Sequence, residues 1–150
     1  MAYAALTKPT KIGSVKHAWH FMDAKDKALG RLATDIAQKL MGKSKADFVR
    51  NLDMGDYVVV VNAKEIKVTG KKEEQKKYYR HSGYPGGFRA ETLRELRARR
   101  PEEIVTRAVK GMLPQNRLRD RMLKRLFVFA NAEHPYNDKF KMKSEKLEIT

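Results

Sequence analysis

The sequence predicts an α/β protein built around a mainly parallel sheet. Apolar stretches with strand character alternate with stretches whose apolar side chains recur every three to four residues. A strand–helix–strand order with short connections is typical of right-handed crossovers in a parallel sheet. The chain has 150 residues, enough for one domain with a substantial core.

The first half of the chain contains the clearest elements. Residues 19–23 form a short apolar run that predicts a strand. A helix is predicted next, with a stop at Gly42. Residues 57–61, Tyr-Val-Val-Val-Val, are typical of a strand buried on both faces. Residues 66–68 alternate apolar and polar side chains before a break at Thr69 and Gly70. The helix is predicted from its apolar repeat, Leu29, Leu32, Ala33, Ile36, Ala37 and Leu40.

The second half of the chain contains three predicted helices and a strand. Thr92 and Glu95 have the spacing of a capping box, which marks the start of the first helix. Pro101 suits the first position of the second helix, and Gly111 is predicted to end it. A basic helix follows, and the apolar residues 126–129 predict another strand.

The charge of the chain indicates a polyanionic partner. Lys and Arg number 33 against 18 Asp and Glu, a formal net charge of +15. Residues 71–100 carry ten bases and four acids, whereas residues 21–70 carry nine and seven. Nucleic acid is favoured over a membrane surface, because the sequence has neither an N-terminal myristoylation glycine nor an apolar run of the roughly 18 residues that span a bilayer.

The composition also sets the domain organisation that we predict. Residues 1–16 contain three lysines and no acid, which leaves open an RNA-draped arm or an organellar presequence. Residues 17–136 form the α/β domain, and residues 137–150 form an acid-balanced extension. The absence of cysteine excludes disulfides, zinc ribbons and thiol catalysis.

The first candidate site is the basic helix with the turn before it. Seven Lys or Arg and a single acid, Asp120, lie between residues 107 and 125. Arg117, Arg121 and Lys124 are spaced to share one helix face, opposite apolar residues. Guanidinium groups suit paired phosphate oxygens, and a merely solvated face would mix both signs of charge. The predicted RNA-binding residues here are Lys110, Gly111, Arg117, Arg119, Arg121, Lys124 and Arg125.

The second candidate site is the segment from residue 71 to residue 89, where cations alternate with aromatic side chains and a glycine-rich loop follows. Glycines let backbone amides approach phosphate or ribose, and Tyr or His side chains can stack on an unpaired base. One of the neighbouring Tyr78 and Tyr79 is expected in the core, because successive strand residues point to opposite faces. The predicted RNA-binding residues here are Lys71, Lys72, Lys76, Arg80, His81, Gly83, Gly86, Gly87 and Arg89.

An enzymatic function is not supported by the sequence. Histidines and acids cluster around residues 17–23 and 133–134, but no zinc-protease motif, nucleophile elbow or phosphate-binding loop is present. We therefore predict no catalytic residue, no metal ligand, no cofactor and no small-molecule substrate.

Several motifs in consistent order resemble one known family. They are Leu29-Gly30-Arg31-Leu32-Ala33, Gly55-Asp56-Tyr57, Val68-Thr69-Gly70, Tyr78-Tyr79-Arg80-His81-Ser82-Gly83, Val109-Lys110-Gly111-Met112-Leu113-Pro114 and Glu133-His134-Pro135. Over roughly residues 17–136 the chain resembles the L-thirteen family of large-subunit ribosomal proteins of bacteria and organelles.

The resemblance implies a three-layer α/β/α single domain around a four-stranded, mostly parallel sheet. It implies a structural role in the large ribosomal subunit, where the protein would bind large-subunit ribosomal RNA, contact neighbouring ribosomal proteins and support early assembly. The RNA-facing parts would be the loop 81–87 and the segment 110–125. A bacterial-type cytoplasmic ribosome is expected, with an organellar ribosome left open. The alternative is a free regulatory RNA-binding protein, such as a translational repressor.

Overall fold

The computed structural model describes residue 13 and residues 15–136. Most of the predicted arm 1–16 and all of the predicted extension 137–150 lie outside the described residues. In chain order the elements are β1 (Trp19–Asp23), α1 (Leu29–Met41), β2 (Tyr57–Val61), a 3₁₀ turn (Ala63–Glu65), α2 (Lys72–Gln75), β3 (Lys77–His81), β4 (Phe88–Thr92), α3 (Leu93–Arg99), α4 (Pro101–Met112), α5 (Leu118–Leu123) and β5 (Leu126–Val128).

The central sheet has three parallel strands in the order β1, β2, β5. Trp19 pairs with Tyr57, and Val58 pairs with Leu126. This confirms the α/β class and the parallel sheet, but the described residues supply three strands to it and do not confirm the expected fourth. Residues 66–68 contribute one parallel bridge, from Lys67 to Ala28, because they meet the chain where it has already left β1 and is entering α1. A separate antiparallel hairpin, β3–β4, completes the strands of the described part.

The two faces of the sheet are covered differently. One face packs against α1, α4 and α5 in a core that includes Leu32, Ile36, Val60 and Val105, all buried. The other face carries aromatic rings. Trp19 stacks on Tyr57 at 4.5 Å between ring centroids and also contacts Phe127 and Tyr136. Among the described residues, the contacts thus give a helical layer and an aromatic layer, rather than the helices on both faces that the resemblance implies.

The residues that end helices α1 and α4 can be identified in the structure. Helix α1 buries the predicted apolar stripe, and Gly42 ends it in a left-handed conformation with φ of 77°. The prediction that Gly111 ends α4 is wrong, because the helix continues through Gly111 to Met112. Pro114 disfavours a helical conformation in the residue before it, and Leu113 is accordingly extended.

Helix α3 anchors the hairpin to the domain. Thr92 and Glu95 form the predicted capping box, with each side chain accepting a hydrogen bond from the other residue's amide. Leu93 and Leu96 are buried in a second apolar cluster. Tyr78 of β3 packs against that cluster, so it is the core-facing member of the tyrosine pair, and Tyr79 is exposed.

The segment entering β2 is held by close packing and by a buried acid. A Cβ atom on Gly55 would lie 1.6 Å from the carbonyl oxygen of Leu40, so only glycine fits there. The next residue, Asp56, is buried and accepts hydrogen bonds from the Ala18 amide at 2.9 Å and from Lys45 Nζ at 2.6 Å. Its other oxygen lies 2.9 Å from His20 Nε2. Asp56 therefore ties the start of β1 and the loop after α1 to the central strand.

Candidate nucleic-acid interface

Helix α5 displays three of the predicted cations on its outer side. Asn116 Oδ1 accepts hydrogen bonds from the amides of Leu118 and Arg119, both at 3.1 Å, which satisfies donors that the helix start leaves free. Met122 is buried against the core. The outward-facing cations, all exposed, are Arg117, Arg121 and Lys124.

The remaining two arginines of this segment are less available. Arg119 is half-buried, and its Nε atom has no hydrogen-bond partner among the described residues. Arg125 is buried, and its guanidinium forms a two-pronged ion pair with Asp53, one bond of which measures 2.6 Å. The structure thus places Arg125 inside the domain, where it holds the loop before β2. An RNA contact by Arg125 stays a prediction, and its burial and its pairing with Asp53 weigh against it.

The β3–β4 hairpin presents the second predicted site. Its loop turns at Gly83 and Gly86, which adopt φ of 90° and 72°, conformations that side chains strongly disfavour. Gly87 is restricted for another reason, since a Cβ there would lie 2.0 Å from Ser82 Oγ. His81 Nδ1 accepts a hydrogen bond from the Gly83 amide at 2.9 Å, so this histidine helps to shape the loop.

Arg80 and Arg89 are direct cross-strand partners on this hairpin. Like charges placed directly opposite each other on an antiparallel pair are destabilising. Both are exposed, and both line a groove of about 410 Å³ with Tyr78 and residues of α3 and α4. The acids of this groove have other partners, including Glu95, whose carboxylate accepts a hydrogen bond from the Thr92 amide. Glu91 pairs with Arg99, and Glu103 pairs with two arginines, Arg100 and Arg107.

One of these acids, Glu103, is held in its charged form. The hydrogen bond from Arg100 is the main cause of the lowered pKa of Glu103, and Arg107 contributes further. Arg80 and Arg89 are the arginines of this groove that form no salt bridge with a described acid. An anion is the ligand that this arrangement favours.

A cleft of about 580 Å³ joins the two predicted sites. Lys72 and Lys76 of the second site and Gly111 of the first site all line it. Lys67 and Arg107 add further positive charge to its lining. The sequence alone does not show that the two sites meet here. They meet because α2, the start of α1 and the end of α4 all line the same cleft.

Ion pairing leaves all but one of the predicted cations without an acidic partner in the described part of the chain, although other basic residues, among them Lys27, Arg31 and Arg94, are unpaired there as well. Salt bridges within the described part of the chain engage Lys25, Lys45, Lys67, Arg97, Arg99, Arg100, Arg107 and Arg125. Of this group only Arg125 was predicted to bind RNA. The other predicted cations form no salt bridge with a described acid. They are Lys71, Lys72, Lys76, Arg80, Arg89, Lys110, Arg117, Arg119, Arg121 and Lys124.

The structure adds two cations that the sequence did not single out. Lys43 and Arg50 are exposed and line a groove of about 330 Å³ with Pro114 and Asn116, next to α5. They come from a stretch of nearly balanced charge, so composition gave no reason to choose them. Their position beside the segment 110–125 extends the basic surface of α5.

The histidines and acids do not form a site of their own in the described residues. His17 Nδ1 is hydrogen-bonded to the carbonyl oxygen of Gly55, and His20 faces Asp56. No group of three or more His, Asp or Glu able to hold a metal ion occurs among residues 13 and 15–136. In the same residues, no helix combines the length and the apolar character needed to cross a bilayer.

The fold and this surface define a small, strongly basic α/β protein that carries unpaired cations on a hairpin and on and beside a short helix. A family model described as "Ribosomal protein L13" matches residues 17–135. The chain therefore belongs to the ribosomal protein L13 family, as the resemblance in the sequence indicated.

Curated relatives of the same family are similar in sequence to this chain over most of its length. The "Large ribosomal subunit protein uL13" of Lawsonia intracellularis is 54% identical over 122 residues, which cover 81% of this chain and 85% of that protein. The protein of the same description from Nitratidesulfovibrio vulgaris is 54% identical over 123 residues, covering 82% and 85%. That of Psychrobacter sp. is 51% identical over 130 residues, covering 87% and 92%. The family is one of structural ribosomal proteins, which confirms the prediction that the chain is not an enzyme.

Proposed function

We propose that this chain is a structural constituent of the large ribosomal subunit, and that it binds large-subunit ribosomal RNA through the β3–β4 hairpin and α5. The ribosomal role rests on family membership. The RNA-binding residues rest on one observation: ten predicted cations lack a described acidic partner, whereas the basic residues outside the predicted set supply almost all of the internal ion pairs.

The distribution of ion pairs supports this assignment on physical grounds. Unpaired cations of one sign repel one another and oppose folding, and a polyanion removes that repulsion when it binds. Two acids that line the same groove as Arg80 and Arg89, Glu91 and Glu103, are paired with other arginines. Phosphate groups are the complementary partners, because arginine binds paired oxygens through two parallel hydrogen bonds.

The mode of recognition follows from the kinds of residue involved. Arginine, lysine and loop amides reach phosphate and ribose, which position a protein on RNA but carry little sequence information. Recognition therefore rests mainly on the shape of the folded RNA and on its 2′-hydroxyls. The packed core under α5 and the cluster under the hairpin hold the two surfaces rigidly, so that the protein can bridge separate RNA segments and support early assembly.

We also propose a cellular location and further partners for this chain. The relatives named above are bacterial proteins, and we place this chain in a bacterial-type cytoplasmic ribosome, with neighbouring ribosomal proteins as additional partners. Residues 1–16 and 137–150 flank the family match and act as extensions to the domain at 17–136.

A charge-reversal experiment tests the RNA-binding assignment. Arg117→Glu with Arg121→Glu should weaken incorporation into large subunits, because both side chains are exposed and unpaired in the described part of the chain. The helical circular dichroism should remain that of the wild type. Arg31→Glu with Arg94→Glu is the matched control, since it makes the same charge change on exposed sites of α1 and α3 outside the proposed surface. Equal incorporation of both double variants would contradict the assignment.

A further inference from the structure

One face of the β3–β4 hairpin carries large aromatic side chains that the domain leaves uncovered. Residues directly opposite on an antiparallel pair share a face, and alternate residues of a strand do too. The pairings of Tyr79 with Ala90 and of His81 with Phe88 therefore place these four residues together. Tyr79 is 65% exposed and Phe88 is 60% exposed. An exposed aromatic pair of this kind indicates an interaction site.

The two rings are already arranged as a stack. Their centroids are 5.5 Å apart and their planes differ by 23°. Ala90, opposite Tyr79, is too short to cover its ring. On the other face of the strand, Tyr78 packs against the buried cluster of Leu93 and Leu96, which fixes the hairpin to α3. The exposed rings are thus held in place by the domain instead of moving with a flexible loop.

The charges around the rings identify the class of partner. Lys77 shares the aromatic face, and no acidic residue occupies a position on it. The opposite face carries the cross-strand pair Arg80 and Arg89, neither of which forms a salt bridge with a described acid. Apart from Ala90, the aromatic face carries no aliphatic side chain. Aromatic rings flanked by cations are typical of surfaces that stack on unpaired nucleotides.

We propose that Tyr79 and Phe88 form a platform on which an unpaired base of the large-subunit ribosomal RNA stacks, while Lys77 on the same face binds the adjoining phosphate and Arg80 and Arg89 bind phosphates along the other face of the hairpin. The proposal rests on the proposed function and adds a specific element to it. The phosphate contacts would hold any RNA segment of suitable shape, whereas the platform selects a nucleotide that is free of base pairing. Every base has a stacking face, so the platform reads unpaired geometry and not base identity.

Binding measurements at several salt concentrations test the platform. The full chain and its variants are titrated with full-length large-subunit ribosomal RNA transcribed in vitro. Tyr79→Ala with Phe88→Ala should lower the affinity about 5- to 150-fold, the range for loss of one stacked base. The slope of log affinity against log salt should not change, because no charge is lost. Arg89→Ala should instead make that slope shallower by about 0.7 to 0.9.

Two further variants make the result specific to aromatic rings. Phe88→Tyr keeps a ring and should bind like the wild type, whereas Phe88→Leu keeps an apolar side chain without a ring and should bind more weakly. All substituted side chains are exposed, so the thermal unfolding temperature should stay within a few degrees. Chemical probing of the RNA should show a base that the wild type protects and the double alanine variant leaves reactive.

The outcomes separate this inference from the proposed function. Wild-type binding that falls with salt, combined with unchanged affinity of the double alanine variant, would overturn the platform and leave the RNA-binding function intact. Unchanged RNA affinity with loss of incorporation into subunits would assign the rings to a protein neighbour and also overturn the platform. Absence of salt-dependent binding by the wild type would instead contradict the proposed function itself.

Discussion

Two adjacent residues, Lys124 and Arg125, have opposite surroundings although the sequence gives them the same charge. Lys124 is exposed, whereas Arg125 is 8% exposed and paired with Asp53, 72 positions earlier in the chain. Helical spacing indicated which cations face outward along α5, but a partner so distant in sequence leaves no local signal. The exposure of most of these cations could therefore be predicted from the sequence, whereas the burial of Arg125 in an internal ion pair could not.

These two residues should respond differently to the same substitution. Arg125→Ala should lower the free energy of unfolding by about 3 kcal/mol, at the lower end for a broken buried pair, because the Asp53 side chain retains 17% exposure. Lys124→Ala should change it by no more than about 0.5 kcal/mol and should weaken RNA binding. Urea unfolding and RNA titration of both variants check this pair of outcomes. A stability loss in Lys124→Ala equal to that in Arg125→Ala would contradict it.

The stability of the domain at acid pH should depend on the protonation of Asp56. Burial alone would raise the pKa of its carboxyl, but the hydrogen bonds from Lys45, the Ala18 amide and His20 outweigh burial and lower that pKa below its usual value. The unfolded chain then binds the proton more readily than the folded chain. The stabilisation from Asp56 is full above the unfolded pKa of about 3.9 and is lost as the pH falls through the lower folded pKa.

The variant Asp56→Ala should be less stable than the wild type at pH 7 by about 1.5–3 kcal/mol, the usual contribution of hydrogen bonds to a charged group. Its stability should also fall less steeply below pH 4, because the titrating group is gone. Urea midpoints measured from pH 7 to pH 3 check both statements. Asp35→Ala, on the exposed side of α1, is the control and should keep the wild-type pH dependence. A variant as stable as the wild type at pH 7 would refute the role of Asp56.

At the scale of elements, the junction between α1 and β2 depends on a close backbone approach. Gly55→Ala should destabilise the domain severely, because the added Cβ would overlap the carbonyl group of Leu40. Gly30→Ala is the matched control. Nothing lies within 4 Å of a Cβ built at Gly30, and alanine favours the helix by up to about 1 kcal/mol. Thermal unfolding should show a large decrease for the first variant and a small increase for the second. A Gly55→Ala protein that unfolds like the wild type would contradict this packing.

The elements that the sequence predicted well are those specified by nearby residues. The stripe of α1, its glycine stop at Gly42 and the capping box at Thr92 all depend on side chains within a few positions. Residues 66–68 have a strand pattern, yet they form one bridge because pairing depends on where a distant segment runs. The end of α4 was misplaced at Gly111 because glycine permits a stop, whereas the proline at 114 enforces one.

At the scale of the whole molecule, the basic residues that give the chain its net charge of +15 fall into two sets. One set of basic residues pairs with acids of the domain, and the other set, which includes the cations of the hairpin, α2 and α5, forms no salt bridge with a described acid. The first set maintains the fold, and the second is available to phosphates. Residues 21–70, which the composition assigned to the scaffold, contribute Lys43 and Arg50 to the exposed set. The fold thus brings together cations that the linear charge pattern keeps apart.

Sedimentation of a cell extract through a sucrose gradient in moderate salt tests the central claim most directly. If the unpaired cations anchor this chain in the large ribosomal subunit, it should migrate with that subunit at one copy per particle. The Arg117→Glu, Arg121→Glu variant should shift towards the light fractions. Recovery of the wild-type chain mainly in light fractions, with the ribosomes intact, would contradict the account and favour a free RNA-binding regulator.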